Sequence, residues 1–121
     1  MSKVDFTGWI PHDAIPPLLN RMKIHILPSH TESLGGSNLE AMACGAICIA
    51  NSVGGLPDII DDGRTGFLLK DNSPRSMADK MIEVLERPDL EAIQKNARIL
   101  VEERFTYEKV VEGWRGILSG L

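Results

Sequence analysis

The sequence predicts a doubly wound α/β fold: a parallel sheet of about four strands with helices on both faces, followed by a helical tail. Three observations predict it. Short apolar runs alternate with helically periodic stretches over the first two thirds of the chain, the rhythm of strand–helix–strand units. The run "AICIA" at residues 46–50 is almost wholly apolar, as a strand covered on both faces must be. Three helical patterns then follow one another with no strand pattern between them.

Each element has a local reason. Residues 4–8 alternate and read as a short strand. Residues 11–22 set Ile15, Leu18, Leu19 and Met22 at helical spacing, with Asp13 as a candidate cap and the prolines in the first turn. The run "KIHIL" at residues 23–27 is a strand stopped by Pro28. Residues 38–44 form a short helix, and Gly45 is its stop signal. Gly54 and Gly55 open a turn into the helical "LPDII". A turn at Asp62 and Gly63 leads to a short strand at residues 66–69. Met77, Met81, Ile82 and Leu85 share one face of a helix over residues 74–85 behind Ser73. A second helix covers residues 90–103, and Thr106 caps a last one running to about Leu118. On that helix Val110, Val111, Trp114, Ile117, Leu118 and Leu121 make one apolar stripe. No internal repeat or linker breaks the chain, which reads as one unit over residues 1–121 with its sheet and helices at about 4–85 and its tail at about 90–121.

Composition narrows the function. A chain of 121 residues with 43% hydrophobic content can bury a core. A net charge of −4, no long run of like charge and few aromatics give no support to nucleic-acid or membrane-surface binding. The first seven residues lack the basic-then-apolar layout of a secretory signal, and no apolar run has the length of a membrane span, so a cytoplasmic protein is expected. Cys44 and Cys48 read as buried reduced thiols. His12, His25 and His30 fall at no metal-ligand spacing, and His25 reads as a strand-face residue.

The chemistry concentrates in "PSHTESLGGSNLEAMACGA", after one strand and before a helix. In open α/β sheets ligands bind beyond the carboxyl ends of the strands. Gly35 and Gly36 give the backbone freedom and hold no side chain against a ligand. Ser37, Asn38 and Leu39 then offer the free amides of a helix start, an anion site suited to phosphate. Carboxylates repel phosphate but accept from vicinal hydroxyls. Glu40 can thus hold one sugar and Glu32 another, with a diphosphate on the amides between them: a nucleotide sugar. A bland alternative stands beside this. Ser37 through Glu40 matches a helix capping box, which would make Glu40 a cap alone. The string "GGLPDIIDDG" is neither a Walker loop nor GxGxxG and carries no nucleotide chemistry of its own.

Taken in order, "VDFTGWIP", "ILPS", "ESLGGSNLEAMACG", "GGLPDII", "DGRTGFLL" and "NARILVEERFTY" resemble the donor-binding half of retaining GT-B-type glycosyltransferases, the group 1 (glycogen-synthase-like) family. The resemblance runs from Val4 to Trp114. It implies a Rossmann-like domain, here the later part of one, and an activated donor that is usually a nucleotide-diphosphate sugar. It implies transfer with net retention and neither metal nor cofactor. By position, Glu32 would be the catalytic-site group facing the donor sugar. The backbone from Gly35 through Gly36, Ser37, Asn38 and Leu39 would cradle the diphosphate. Glu40 would accept from the ribose, and the backbone near Ile10 and His12 would approach the base. Family mechanisms are drawn as front-face displacements in which stabilising the leaving group dominates, which suits preorganised amides.

The chain departs from the pattern in two places. Lys23 stands where the family commonly has Asp. The family's acceptor-binding N-terminal domain and its Arg–Lys pair have no counterpart, since none of Lys3, Arg21 or Lys23 has the expected setting. The expectation is therefore a donor-domain fragment inactive alone, which self-associates or meets a partner chain through the apolar stripe. The alternative is a non-catalytic interaction module or one subunit of a split glycosyltransferase.

Overall fold

A computed structural model describes residues 3–121; Met1 and Ser2 lie outside the described residues. A 3-10 turn (His12–Ala14) leads into α1 (Ile15–Asn20), β1 (Ile24–Leu27), α2 (Gly36–Ala43), β2 (Ile47–Asn51), α3 (Leu56–Ile59), β3 (Phe67–Leu69), α4 (Pro74–Leu85), α5 (Leu90–Arg104) and α6 (Tyr107–Ser119). The sheet has the order β1-β2-β3 and both pairings are parallel, with Ile24 opposite Ile47 and Ile49 opposite Phe67. This is the doubly wound arrangement expected, with helices on both faces and a helical tail.

Among the described residues the strand count is three, not about four. Residues 4–8 form no strand, and Val4, Phe6 and Trp9 are exposed. A strand exists through its ladder, and among the described residues this segment pairs with no neighbour, so its alternating pattern has nothing to act on. Asp13 makes no cap either, because the chain enters α1 through the 3-10 turn that follows Pro11.

All five residues of β2 are buried, which explains its apolar run. Its side chains divide between two cores. Cys48 and Ala50 pack with Leu19, Ala41, Met42, Leu56, Ile59 and Ala97 on one face. Ile47 and Ile49 pack with Phe67, Leu69, Val84 and Ile93 on the other. The helix α5 serves both, giving Ile93 to one core and Ala97 to the other.

Local signals end the helices as expected. Gly45, at φ +90°, closes α2 with paired bonds from Ala46 N to Ala41 O (3.0 Å) and from Gly45 N to Met42 O (3.3 Å), a Schellman motif. Ser73 caps α4 by accepting from Ser76 N at 3.1 Å, and Thr106 caps α6 by accepting from Lys109 N at 3.3 Å. The stripe on α6 stays uncovered: Val110, Trp114, Ile117 and Leu118 are exposed and only Val111 is half-buried, while Leu121, expected on the same stripe, lies beyond the helix end at Ser119 and is exposed too.

Candidate functional site

The loop after β1 turns into α2 at Gly35, which takes φ +80° and ψ 55°. A left-handed residue is cheap only as glycine, and it starts the helix at Gly36 rather than at Asn38. Two expectations change as a result. The amides of Asn38 and Leu39 both return to the Gly35 carbonyl, at 3.0 and 3.3 Å, so they are not free. The amides of Gly36 and Ser37 carry no bond within the described residues, and these are what the helix start offers an anion. The capping box also fails to form. Ser37 lies inside the helix, no side chain caps it, and Glu40 stands in the second turn with an exposed side chain.

Glu40 instead lines a cleft. His12, Ile15, Pro16 and Leu19 form one wall, and Glu40, Ala43 and Cys44 form the other, around a volume of about 300 Å³. The helical repeat sets Gly36, Glu40, Ala43 and Cys44 on one face of α2, so the open amides head the same face that carries the carboxylate. The floor is apolar, from Ile15 and Leu19, and the rim is polar, from His12 and Glu40. That is the make-up of a small-ligand site, at the lower end of the usual volumes. Two residues far apart in sequence, His12 and Glu40, are thereby brought together. Ile10 is half-buried and lies outside this lining.

Glu32 is half-buried and does not line the cleft. It sits where the loop after β1 meets the turn after β2. The Gly55 amide donates to the Ser33 carbonyl at 2.6 Å, and Asn51 Nδ2 donates to the Ser29 carbonyl at 2.9 Å. Sequence reasoning passed over these partners; their signal is the pair of adjacent glycines, read there as a turn alone.

Behind the site, Asn38 is fully buried. Its Oδ1 lies 2.9 Å from His25 Nδ1, and its carbonyl accepts from the Cys48 thiol at 3.5 Å. Its side chain thus holds α2 to the sheet and faces away from solvent, while Nδ2 has no partner among the described residues. Burial pushes the His25 imidazole below its ordinary value, against the opposing pull of the Asn38 bond and the Glu40 charge. Burial pushes the Cys48 thiol up to about 12, as expected of a buried reduced thiol; Cys44 is unbridged too but only half-buried, because it ends α2 on the face that lines the cleft.

The family model described as "Glycosyl transferases group 1" matches residues 2–100. The N-acetyl-alpha-D-glucosaminyl L-malate synthase of Bacillus anthracis is 38% identical over 106 residues, which cover 87% of this chain and 28% of that protein. The structure of Anabaena Alr3699/HepE in complex with UDP and glucose superposes with a TM-score of 0.86 at 25% identity, over 99% of this chain and 33% of that one. The C-terminal domain of LpcC from Francisella tularensis, a glycosyl transferase group 1 family protein, gives 0.75 at 32% identity, over 84% of this chain and 53% of that one. The chain spans about 30% of the length of the curated relatives it matches.

Proposed function

The chain belongs to the group 1 glycosyl transferases, and from that membership we propose that it binds the nucleotide-diphosphate sugar donor of a retaining glycosyl transfer. The cleft that joins His12 to Glu40 carries the reading. Its apolar floor suits the flat face of a base, with the backbone near Ile10 and His12 alongside. The Glu40 carboxylate accepts from the ribose hydroxyls. The diphosphate lies on the open amides of Gly36 and Ser37, at the positive end of α2. Glu32 meets the donor sugar. Leaving-group charge is then stabilised by fixed dipoles, with no metal or cofactor. The complexes of HepE with UDP and glucose support the ligand class. A cytoplasmic setting is part of the proposal; among the described residues no helix is long and apolar enough to cross a membrane.

Alone, the chain binds donor without transferring it, because transfer needs both substrates held in register. Calorimetric titration with UDP-glucose tests the binding, and incubation with acceptor sugars tests the transfer. Saturable binding reversed by UDP, with no glycoside formed, is the expected result. A folded chain that binds no nucleotide sugar, or that turns over by itself, overturns the proposal.

One observation favours a second, compatible reading. The stripe on α6 and the exposed Val4, Phe6 and Trp9 are more apolar surface than a soluble monomer usually shows. They fit a chain that self-associates or that meets a partner chain through these surfaces.

A further inference from the structure

The segment from Asn51 to Leu56 touches the loop that carries Glu32 at Asn51, Gly54, Gly55 and Leu56. Asn51 holds the Ser29 carbonyl and Gly55 holds the Ser33 carbonyl. A Cβ built on Gly54 would fall on the Glu32 carbonyl oxygen, and one on Gly55 would strike the Ser33 carbonyl. Gly35, at the far end of the loop, rests against the Leu56 side chain with no room for a Cβ of its own. The contacts at Gly54 and Gly55 are backbone on backbone, so no rotamer change can relieve a clash there. The backbone of Glu32 or Ser33 must move instead.

We infer that Gly54 and Gly55 are positioning residues for Glu32. They fix the backbone from which its carboxylate is presented to the donor sugar, and they leave the ribose end at Glu40 alone. The inference rests on the sugar-facing role proposed for Glu32. It also separates two halves of donor recognition. The cleft at Glu40 reads the nucleotide through α1 and α2, whereas the sugar is read through a loop seated on the turn after β2.

Two other glycines supply controls. Gly45 and Gly63 share the left-handed conformation of Gly54, at φ +90°, +83° and +55°, but a Cβ on either meets nothing within 4 Å. Gly63→Ala therefore carries the conformational penalty without the collision.

The test compares Gly54→Ala with Gly63→Ala. The Gly55 amide, protected by its bond to Ser33, is followed by hydrogen exchange, and the Glu32 carboxyl by carbon NMR. UDP and UDP-glucose are titrated into each variant. In Gly54→Ala the Gly55 amide is expected to exchange about tenfold faster, with a displaced Glu32 resonance. The UDP-glucose to UDP affinity ratio should fall about fivefold while UDP affinity itself holds. Gly63→Ala should change none of these. If Gly54→Ala does not fold, Asn51→Ala removes the Ser29 tether with no collision and should move the same readouts in the same direction. An unmoved Glu32 resonance in a folded variant overturns the brace, whatever the ligands do. A displaced resonance with an unchanged affinity ratio overturns its role in sugar recognition. A wild-type chain that binds neither ligand overturns the proposed function and the sugar-reading half with it, and the resonance and exchange data still decide the brace.

Discussion

Glu40→Gln is the most informative single change at the cleft. It keeps the side chain's size and one acceptor oxygen and removes the charge. If Glu40 accepts from ribose hydroxyls, a charge-assisted bond is replaced by a neutral one. Bonds to charged groups contribute about 1.5–3 kcal/mol, so nucleotide affinity should fall roughly 10- to 150-fold. Stability should barely respond, because Glu40 is exposed, caps nothing and makes no side-chain hydrogen bond within the described residues. Exposed substitutions of this kind stay within about 0.5 kcal/mol, or about 2 °C in melting temperature for a domain of this size. Calorimetry with UDP reads the first quantity and thermal melts the second. The reasoning fails if affinity is unchanged. It fails differently if affinity holds while Glu40→Ala lowers the melting temperature by about 4 °C, the loss expected for a cap.

The other expectations are simpler. His25 is held below its ordinary value of 6.5 by burial, so the unfolded chain takes up its proton first as pH falls. Its contribution to stability is complete above that value and is lost as pH falls below it toward the folded value; melts from about pH 7.5 to 5.5 should slope less for His25→Gln, and parallel curves would refute this. Ser73→Ala should cost about 1 kcal/mol in urea melts by removing the cap on Ser76 N, and a cost near zero would remove Ser73 from the account. Trp114 is 59% exposed on the α6 stripe. Sedimentation over a concentration series should show association that weakens in Trp114→Ala, and a monomer at high concentration would count against it.

Much of the fold was legible because its signals are local. Gly45, Ser73 and Thr106 end or start helices through bonds within a few residues, and "AICIA" announces a strand buried on both faces. What the sequence could not show was tertiary. Residues 4–8 have a strand's alternation, but alternation does not supply a neighbour. The motif from Ser37 to Glu40 has a capping box's spacing, yet Gly35 takes the left-handed turn first and carries Ser37 into the helix. At the site, Glu40 was read from its own chemistry and His12 from the family's pattern, and their shared cleft arises only when α1 packs on α2. His25 looked like an ordinary strand residue because its partner, Asn38, lies beyond a loop. Adjacent glycines at Gly54 and Gly55 announced a turn, but which backbone they made room for depended on the neighbouring strand's loop.

The place of α5 in the chain bears on how the protein is born. Its Ile93 and Ala97 complete the cores on opposite faces of β2, and Gln94 donates to the Gly45 carbonyl at 2.8 Å. These residues leave the ribosome after all three strands have emerged. The sheet and the helices α1 to α4 are therefore strung together before either core is complete, and a nascent chain paused short of Ile93 lacks a buried residue on each face of β2. Translation through α5, rather than completion of β3, is the point at which both cores have all of their buried residues.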